Sequence, residues 1–270
     1  MISSSVVFLF ALAVVLTLLL PAVALPLLAL RKKIDWLPLG LGFLSFLVSQ
    51  VLTRIPLLQA LGTQEWYRRF ASEHRVVLLL LLALTAGLFE ESARLGGAAP
   101  LGPRKPAYPG SPPRPGYRTW RGALSFGLGH GCCELILLVG MSHVNNLLFS
   151  VLTNTGGAEI LGGLLPAGQI EQAAAQLAAV QPLEIAAGLL ERVSALLFHL
   201  FATALVFLAF ARRKWILFPL AVLAHTLFNG LAVLPLGLWP MELLLLLAAM
   251  LCAAVFWRSR NWFPSPAQPE

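Results

Sequence analysis

The sequence predicts an all-α polytopic membrane protein with about seven transmembrane helices. Of its 270 residues, 58% are hydrophobic and only 11% are charged, whereas about 25% of the residues of a typical soluble domain are charged. The apolar residues form runs of about 20 residues, the length at which an α-helix crosses about 30 Å of hydrocarbon. This composition excludes a soluble globular domain, a disordered chain and a coiled coil.

The predicted membrane spans follow one another with polar or basic segments between them. The first span has the position of a signal peptide, but no positive charge precedes it and its apolar stretch is longer than a signal peptide needs. We therefore count it as a span. The seven predicted spans cover residues 6–30, 37–61, 76–95, 120–151, 183–211, 215–238 and 241–257.

The charges of the connecting segments predict how the chain is oriented. Lys and Arg recur in the first, third and fifth loops and in the C-terminal tail, while the other loops are weakly charged, acidic or uncharged. The positive-inside rule then places the N-terminus outside and the C-terminus inside, in a bacterial-type plasma membrane. The net charge of +7 follows from this topology, so we expect no nucleic-acid partner.

Two loops differ from the others in composition. Residues 96–118 are basic and rich in Pro and Gly, which is typical of an extended connector. Residues 153–181 form a predicted outer loop, and a short surface helix is expected over 170–180. The whole chain, residues 1–270, is predicted to be one integral-membrane domain whose motif-bearing helices lie between about residues 76 and 238.

Ionisable and amide side chains interrupt the apolar runs. A charged side chain inside hydrocarbon costs at least about 2.5–3.5 kcal/mol, so such residues usually face the bundle interior and mark function. The residues of this kind that we single out are Glu90, Glu91 and Arg94 in the third run, His130 and Glu134 in the fourth, His199 in the fifth, and His225 and Asn229 in the sixth.

Helical spacing places several of these side chains on shared faces. His130 and Glu134 are four residues apart, as are His225 and Asn229, so the members of each pair share one helix face. His130 and His225 each lie about 15 Å along their spans at 1.5 Å per residue. The polar groups can therefore meet between the middle of the membrane and its cytoplasmic side.

Other charged residues have a simpler structural interpretation. Glu90 and Arg94 are spaced for an ion pair along one helix. Arg54 is expected to reach the membrane surface or to pair with a carboxylate such as Glu90. Glu191 and Arg192 are adjacent and could neutralise each other beside the site.

Imidazoles combined with carboxylates form a natural ligand set for zinc. A bound zinc ion lowers the pKa of a water ligand to about 7, and a second carboxylate can act as the general base. Inside a membrane the natural bond to hydrolyse is a peptide bond. The same residues also allow a metal-free mechanism, in which a glutamate activates water while His and Asn stabilise the oxyanion.

The motifs resemble those of the CAAX-protease and bacteriocin-processing superfamily of intramembrane proteases, and most closely its YhfC branch of intramembrane metalloproteases. Four motifs carry the resemblance: Phe-Glu-Glu-x-x-Arg over residues 89–94, Gly-His-Gly-x-x-Glu over 129–134, His199, and His-x-x-x-Asn over 225–229. They extend from the third to the sixth predicted span.

The resemblance implies a role for each motif residue. It implies that the paired glutamates activate water, that the arginine accompanies them, and that the asparagine orients or stabilises the reacting group. We therefore predict Glu90, Glu91, Arg94 and Asn229 as catalytic residues, and His130, Glu134, His199 and His225 as ligands of a Zn²⁺ cofactor. The alternative role of His199 and His225 is to stabilise the oxyanion.

The leading hypothesis is therefore an intramembrane protease, and two alternatives stay open. Its expected partners are the lipid bilayer and a membrane-protein or membrane-bound peptide substrate. The first alternative is a proton-coupled transporter, which the absence of an internal sequence repeat disfavours. The second is a catalytically silent scaffold that binds other membrane helices.

Overall fold

All regular structure in the described part of the chain is helical. The computed structural model describes residues 1–103, 108, 116–157, 160 and 168–264, and the all-α prediction is confirmed for them. Six helices are long and apolar enough to cross a membrane, and three shorter helices lie between them. The nine helices of the described residues are α1 (Ser4–Leu30), α2 (Trp36–Gly62), α3 (Glu65–Glu73), α4 (Arg75–Leu101), α5 (Trp120–Asn154), α6 (Gln169–Ala179), α7 (Pro182–Ala211), α8 (Leu217–Leu231) and α9 (Leu238–Trp262).

Helix α8 is shorter than the span predicted over residues 215–238. It has 15 residues, which gives a length of about 22 Å and falls short of the roughly 30 Å of hydrocarbon. The helix ends at Leu231, before Pro235. Proline lacks the amide hydrogen of a helical residue and disfavours helical geometry at the residue before it. The described residues thus hold six helices long enough to span a membrane plus one short apolar helix, and the predicted orientation of the termini stays a prediction.

The predicted loops are partly helical. Helix α4 continues to Leu101 and so takes up the first residues of the connector predicted over 96–118. The short helix predicted over 170–180 is present as α6. Residues 104–107, 109–115, 158–159 and 161–167 of the two loops lie outside the described residues.

The chain divides into two compact units. The first consists of Met1–Leu27 and Glu134–Arg192, and the second of Leu28–Cys133 and Val193–Glu270. The first unit has an apolar core in which Phe10 and neighbouring residues of α1 pack with Ile185 of α7. The prediction of one integral-membrane domain stays a prediction.

In the second unit, two glycines allow helix backbones to approach closely. A Cβ atom at Gly129 of α5 would lie 2.0 Å from the carbonyl oxygen of Leu39 in α2. A Cβ atom at Gly87 of α4 would lie 3.0 Å from the carbonyl oxygen of Val222 in α8. Small residues at helix contacts are the usual means of close packing in membranes. These contacts bring the polar residues of α2, α4, α5 and α8 within hydrogen-bonding distance.

We expect Gly129→Ala to destabilise the second unit by about 1–3 kcal/mol, because the added methyl group clashes with backbone rather than with a movable side chain. The control is Gly40→Ala in α2, where an added Cβ atom has no neighbour within 4 Å. Thermal unfolding in detergent measures both variants. Equal melting temperatures for Gly129→Ala and Gly40→Ala would contradict the close approach of α2 and α5.

Candidate active site

A group of ionisable side chains is buried inside the second unit. Each of them is at most 6% exposed, and buried charges are tolerated only when they are paired or bound to a metal. Their pairing therefore defines the site. The group consists of Glu90, Glu91 and Arg94 from α4, His130 from α5, His199 from α7 and His225 from α8.

Glu90 is held from two sides. Its Oε2 lies 3.0 Å from Nε2 of His130, and its Oε1 accepts a hydrogen bond of 2.8 Å from Nε2 of Gln50. The other ring nitrogen of His130, Nδ1, lies 2.8 Å from Oγ of Ser45. Helix α2, which supplies Gln50 and Ser45, is therefore part of the site.

Glu91 lies between an arginine and a histidine. Its Oε2 accepts a hydrogen bond of 2.9 Å from Nε of Arg94, and its Oε1 lies 2.7 Å from Nδ1 of His225. Since a carboxylate only accepts hydrogen bonds, Nδ1 of His225 carries a hydrogen. In the neutral imidazole Nε2 of His225 is then an acceptor, and it lies 3.7 Å from Oε1 of Glu90. The ion pair expected between Arg94 and Glu90 is thus formed with Glu91 instead.

Arg94 also fixes His199. Its NH1 donates to Oγ1 of Thr203 at 2.6 Å, and its NH2 lies 3.2 Å from Nδ1 of His199. An arginine can only donate, so Nδ1 of His199 is the acceptor and the ring hydrogen of the neutral imidazole is on Nε2. One buried guanidinium therefore orders both a carboxylate and an imidazole.

Three residues of the site could hold a metal ion. Glu90, His130 and His199 each offer one ligand atom, and these atoms lie within 4.8 Å of one another. A carboxylate and two imidazoles are donors that zinc commonly takes. The donor chemistry therefore fits a divalent ion such as zinc.

The hydrogen bonds around His130 support this fit. Oγ of Ser45 donates to the carbonyl oxygen of Gly42 at 2.7 Å, so it accepts from Nδ1 of His130. Nε2 of His130 and Oε2 of Glu90 are then two acceptors only 3.0 Å apart, an arrangement that needs a proton or a cation between them. His199 differs, because neither of its ring nitrogens can bind a metal ion without a change. Nδ1 must first give up its hydrogen bond from Arg94, or Nε2 must lose its hydrogen.

Comparison with known proteins identifies the family. The chain matches the family model described as YhfC intramembrane metalloprotease over residues 16–251. The chain belongs to the YhfC family. Its match to the "Uncharacterized membrane protein YhfC" of Bacillus subtilis (strain 168) is 34% identical over 122 residues. That match covers 44% of this chain and 46% of the relative, so the chain spans about half the length of that relative. No solved structure matches the chain.

Membership of the YhfC family confirms two predictions made from the sequence. The motif-based resemblance to YhfC proteins is confirmed, and so is the assignment as an integral membrane protein. Placement of the family in the wider CAAX-protease superfamily stays a prediction.

Two of the predicted site residues of this YhfC-family chain are not members of the buried group of ionisable side chains. Glu134 is in the first unit, where NH1 of Arg192 donates to its Oε1 at 2.8 Å and Arg192 also contacts Glu191. Glu134 therefore has a charge partner of its own, and its role as a metal ligand stays a prediction. Asn229 is half-buried one turn after His225, and its catalytic role also stays a prediction.

Three residues that contact the site were not identified from the sequence: Ser45, Gln50 and Thr203. Ser45 and Gln50 belong to a cluster of polar residues within the apolar run of α2. That cluster was the feature of the sequence from which their contact with the site could have been predicted. Gln50 lies in the π-helical segment Leu47–Arg54, a rare geometry that often occurs at functional sites. Arg54 donates to Oε1 of Gln50 at 3.2 Å, and Gln50 donates to Glu90, so Gln50 links Arg54 to the carboxylate with which it was expected to pair.

Proposed function

We propose that this protein is an intramembrane protease that hydrolyses peptide bonds in membrane-protein or membrane-bound peptide substrates. One observation carries the proposal: the potential ligands Glu90, His130 and His199 lie in the same buried group as the hydrogen-bonded pair Glu91–His225. Metal ligands beside a proton-transfer group are what a metal-dependent hydrolase requires. The family description as an intramembrane metalloprotease supports the same activity.

Zinc would be held by Glu90, His130 and His199. When bound, zinc lowers the pKa of a water ligand to about 7 and so makes hydroxide available at neutral pH. Glu90 and His130 already face each other, whereas His199 must change its hydrogen bonding to take part. The apolar helices around the site exclude bulk water, which strengthens electrostatic interactions within it.

His225 is the proposed proton-transfer residue. Its Nε2 takes a proton from the attacking water as the water oxygen bonds to the carbonyl carbon of the substrate. Glu91 holds the ring through Nδ1 and balances the positive charge of the imidazolium, as the carboxylate of a serine-protease triad does. His225 then gives the proton to the amine nitrogen when the C–N bond breaks. Asn229 is the proposed stabiliser of the oxyanion.

A metal-free glutamate protease is the second candidate. The hydrogen bond from Arg94 to Nδ1 of His199 favours it, because it leaves an N–H group at Nε2 that can donate to an oxyanion. In this form Glu90 takes the proton from water directly. The two candidates differ in whether the purified protein holds a metal.

Metal analysis of the detergent-purified protein separates the two candidates. We expect about one zinc per chain in the wild type and its loss in the double variant His130→Ala/His199→Ala. The control His143→Ala removes a histidine of the first unit and is expected to keep the metal. A wild type that holds no zinc even after zinc is supplied would exclude the metalloprotease and leave the metal-free form.

Proteolysis itself is tested in vesicles that contain membrane proteins as substrates. Mass spectrometry should find new peptide termini within hydrophobic segments for the wild type and not for Glu90→Gln. If both proteins give the same termini, the proposed protease activity is wrong, and the transporter and scaffold alternatives become the leading ones.

A further inference from the structure

We infer that Ser45 and Gln50 of α2 are positioning residues that aim His130 and Glu90 at a bound metal ion. The inference rests on the proposed metalloprotease function. Both residues are buried, with 6% and 4% of their surface exposed, and both hydrogen-bond directly to a proposed ligand. Neither residue belongs to the motifs that indicate the family.

Ser45 determines which nitrogen of His130 is available. Its hydroxyl donates to the carbonyl oxygen of Gly42, so its oxygen accepts from Nδ1 of His130 at 2.8 Å. This arrangement directs the lone pair of Nε2 toward Oε2 of Glu90, where a metal ion would take the place of a proton between the two atoms. The ring of Phe46 packs edge-on against His130, with centroids 5.3 Å apart, and limits rotation of the imidazole. A metal-bound histidine typically donates its other N–H in this way.

Gln50 determines the orientation of the Glu90 carboxylate. NH1 of Arg54 donates to Oε1 of Gln50, so the amide group of Gln50 must turn Nε2 toward Glu90. Arg54 is itself held by α4, because its NH2 donates to the carbonyl oxygen of Leu82 at 2.6 Å. With Oε1 of Glu90 bonded to Gln50 at 2.8 Å, Oε2 is the oxygen that faces His130.

The two contacts therefore act on the same pair of ligand atoms. Without Ser45, His130 can move its hydrogen to Nε2 and donate to Glu90, which closes the ligand pair with a hydrogen bond. Without Gln50, the carboxylate can rotate away from His130. Loss of such an outer contact typically reduces metal affinity 10–100-fold.

Zinc titration of the full-length protein in detergent tests the role of Ser45. We expect Ser45→Ala to bind zinc about 10–100-fold more weakly than the wild type. The matched control is Ser49→Ala, because Ser49 is a buried serine of the same helix whose hydroxyl donates to the carbonyl oxygen of Phe46 at 3.3 Å. Melting temperatures without zinc should be similar for the two variants, which separates positioning from folding.

Gln50→Met provides a second, independent test. Methionine keeps the length of the side chain but cannot donate to Glu90, and we again expect weaker zinc binding. Gln59→Met, at an exposed position of α2, is the control and should bind zinc like the wild type. Cobalt in place of zinc adds a spectroscopic readout, since its visible absorption reports the ligand geometry.

The outcomes distinguish the inference from the function on which it rests. If the wild type binds zinc, and if Ser45→Ala and Gln50→Met bind zinc as tightly as the wild type does, the positioning role is wrong while the proposed metal site stands. If the wild type binds no zinc, the metalloprotease proposal fails and the inference fails with it.

Discussion

Replacing Arg94 by methionine is expected to destabilise the folded protein by about 3–5 kcal/mol, the usual cost of removing one partner of a buried ion pair. Arg94 is fully buried and donates to Glu91, to Thr203 and to His199. Its loss leaves the Glu91 carboxylate with too few hydrogen-bond partners in an apolar interior. Unfolding in detergent with increasing denaturant measures the change.

A double variant tests whether the unpaired carboxylate causes this loss. Arg94→Met combined with Glu91→Leu removes both charges, so it is expected to be more stable than Arg94→Met alone. The surface control is Arg69→Met, which removes an exposed partner of Glu73 and should change stability little. If Arg94→Met and Arg69→Met unfold at the same denaturant concentration, the buried network does not stabilise the fold as we describe.

Replacing His225 by glutamine is expected to slow peptide-bond hydrolysis about 10²–10⁴-fold, the usual contribution of a general acid–base residue. Zinc content should stay unchanged, because the proposed ligands are other residues. Glutamine can still donate to Glu91 but cannot take a proton from water. The rate of substrate cleavage in vesicles and the metal content are measured on the same preparation.

His143→Gln is the control for this experiment and should cleave substrate at the wild-type rate. His143 lies in the first unit, outside the buried group of ionisable side chains. Loss of zinc from His225→Gln would instead make His225 a metal ligand, as the sequence motif implied. An unchanged rate would exclude His225 from proton transfer.

The fold class and most membrane spans could be predicted because hydrophobic run length is a property of each segment alone. The exception is α8, which ends at Leu231 although apolar residues continue to Leu238. The backbone geometry that Pro235 imposes ends the helix, and the hydrophobicity of the segment gives no sign of this end. The orientation of the chain, inferred from the charges of its loops, stays a prediction.

The site was predictable only in part. Ionisable residues within apolar runs drew attention to the α4 residues and the three histidines, which the structure places in one buried group. Spacing along one helix could not show that Arg94 pairs with Glu91 rather than Glu90, because both pairings fit a helical turn. Nor could it show that α2 contributes Ser45 and Gln50, since contacts between helices depend on close packing at glycines such as Gly129.

The short helix α8 has a consequence for the delivery of water, which the proposed hydrolysis would consume. Because α8 is only about 22 Å long, it is shorter than the roughly 30 Å of hydrocarbon. Either the surrounding bilayer thins or the segment after Leu231 enters the hydrocarbon layer. Residues 233–237 are exposed and not helical, and such backbone is tolerated at membrane depth only in a protein interior or beside a water-filled cavity. In the second case hydration would reach the C-terminal end of α8, six residues from His225, and would bring water toward the proposed site.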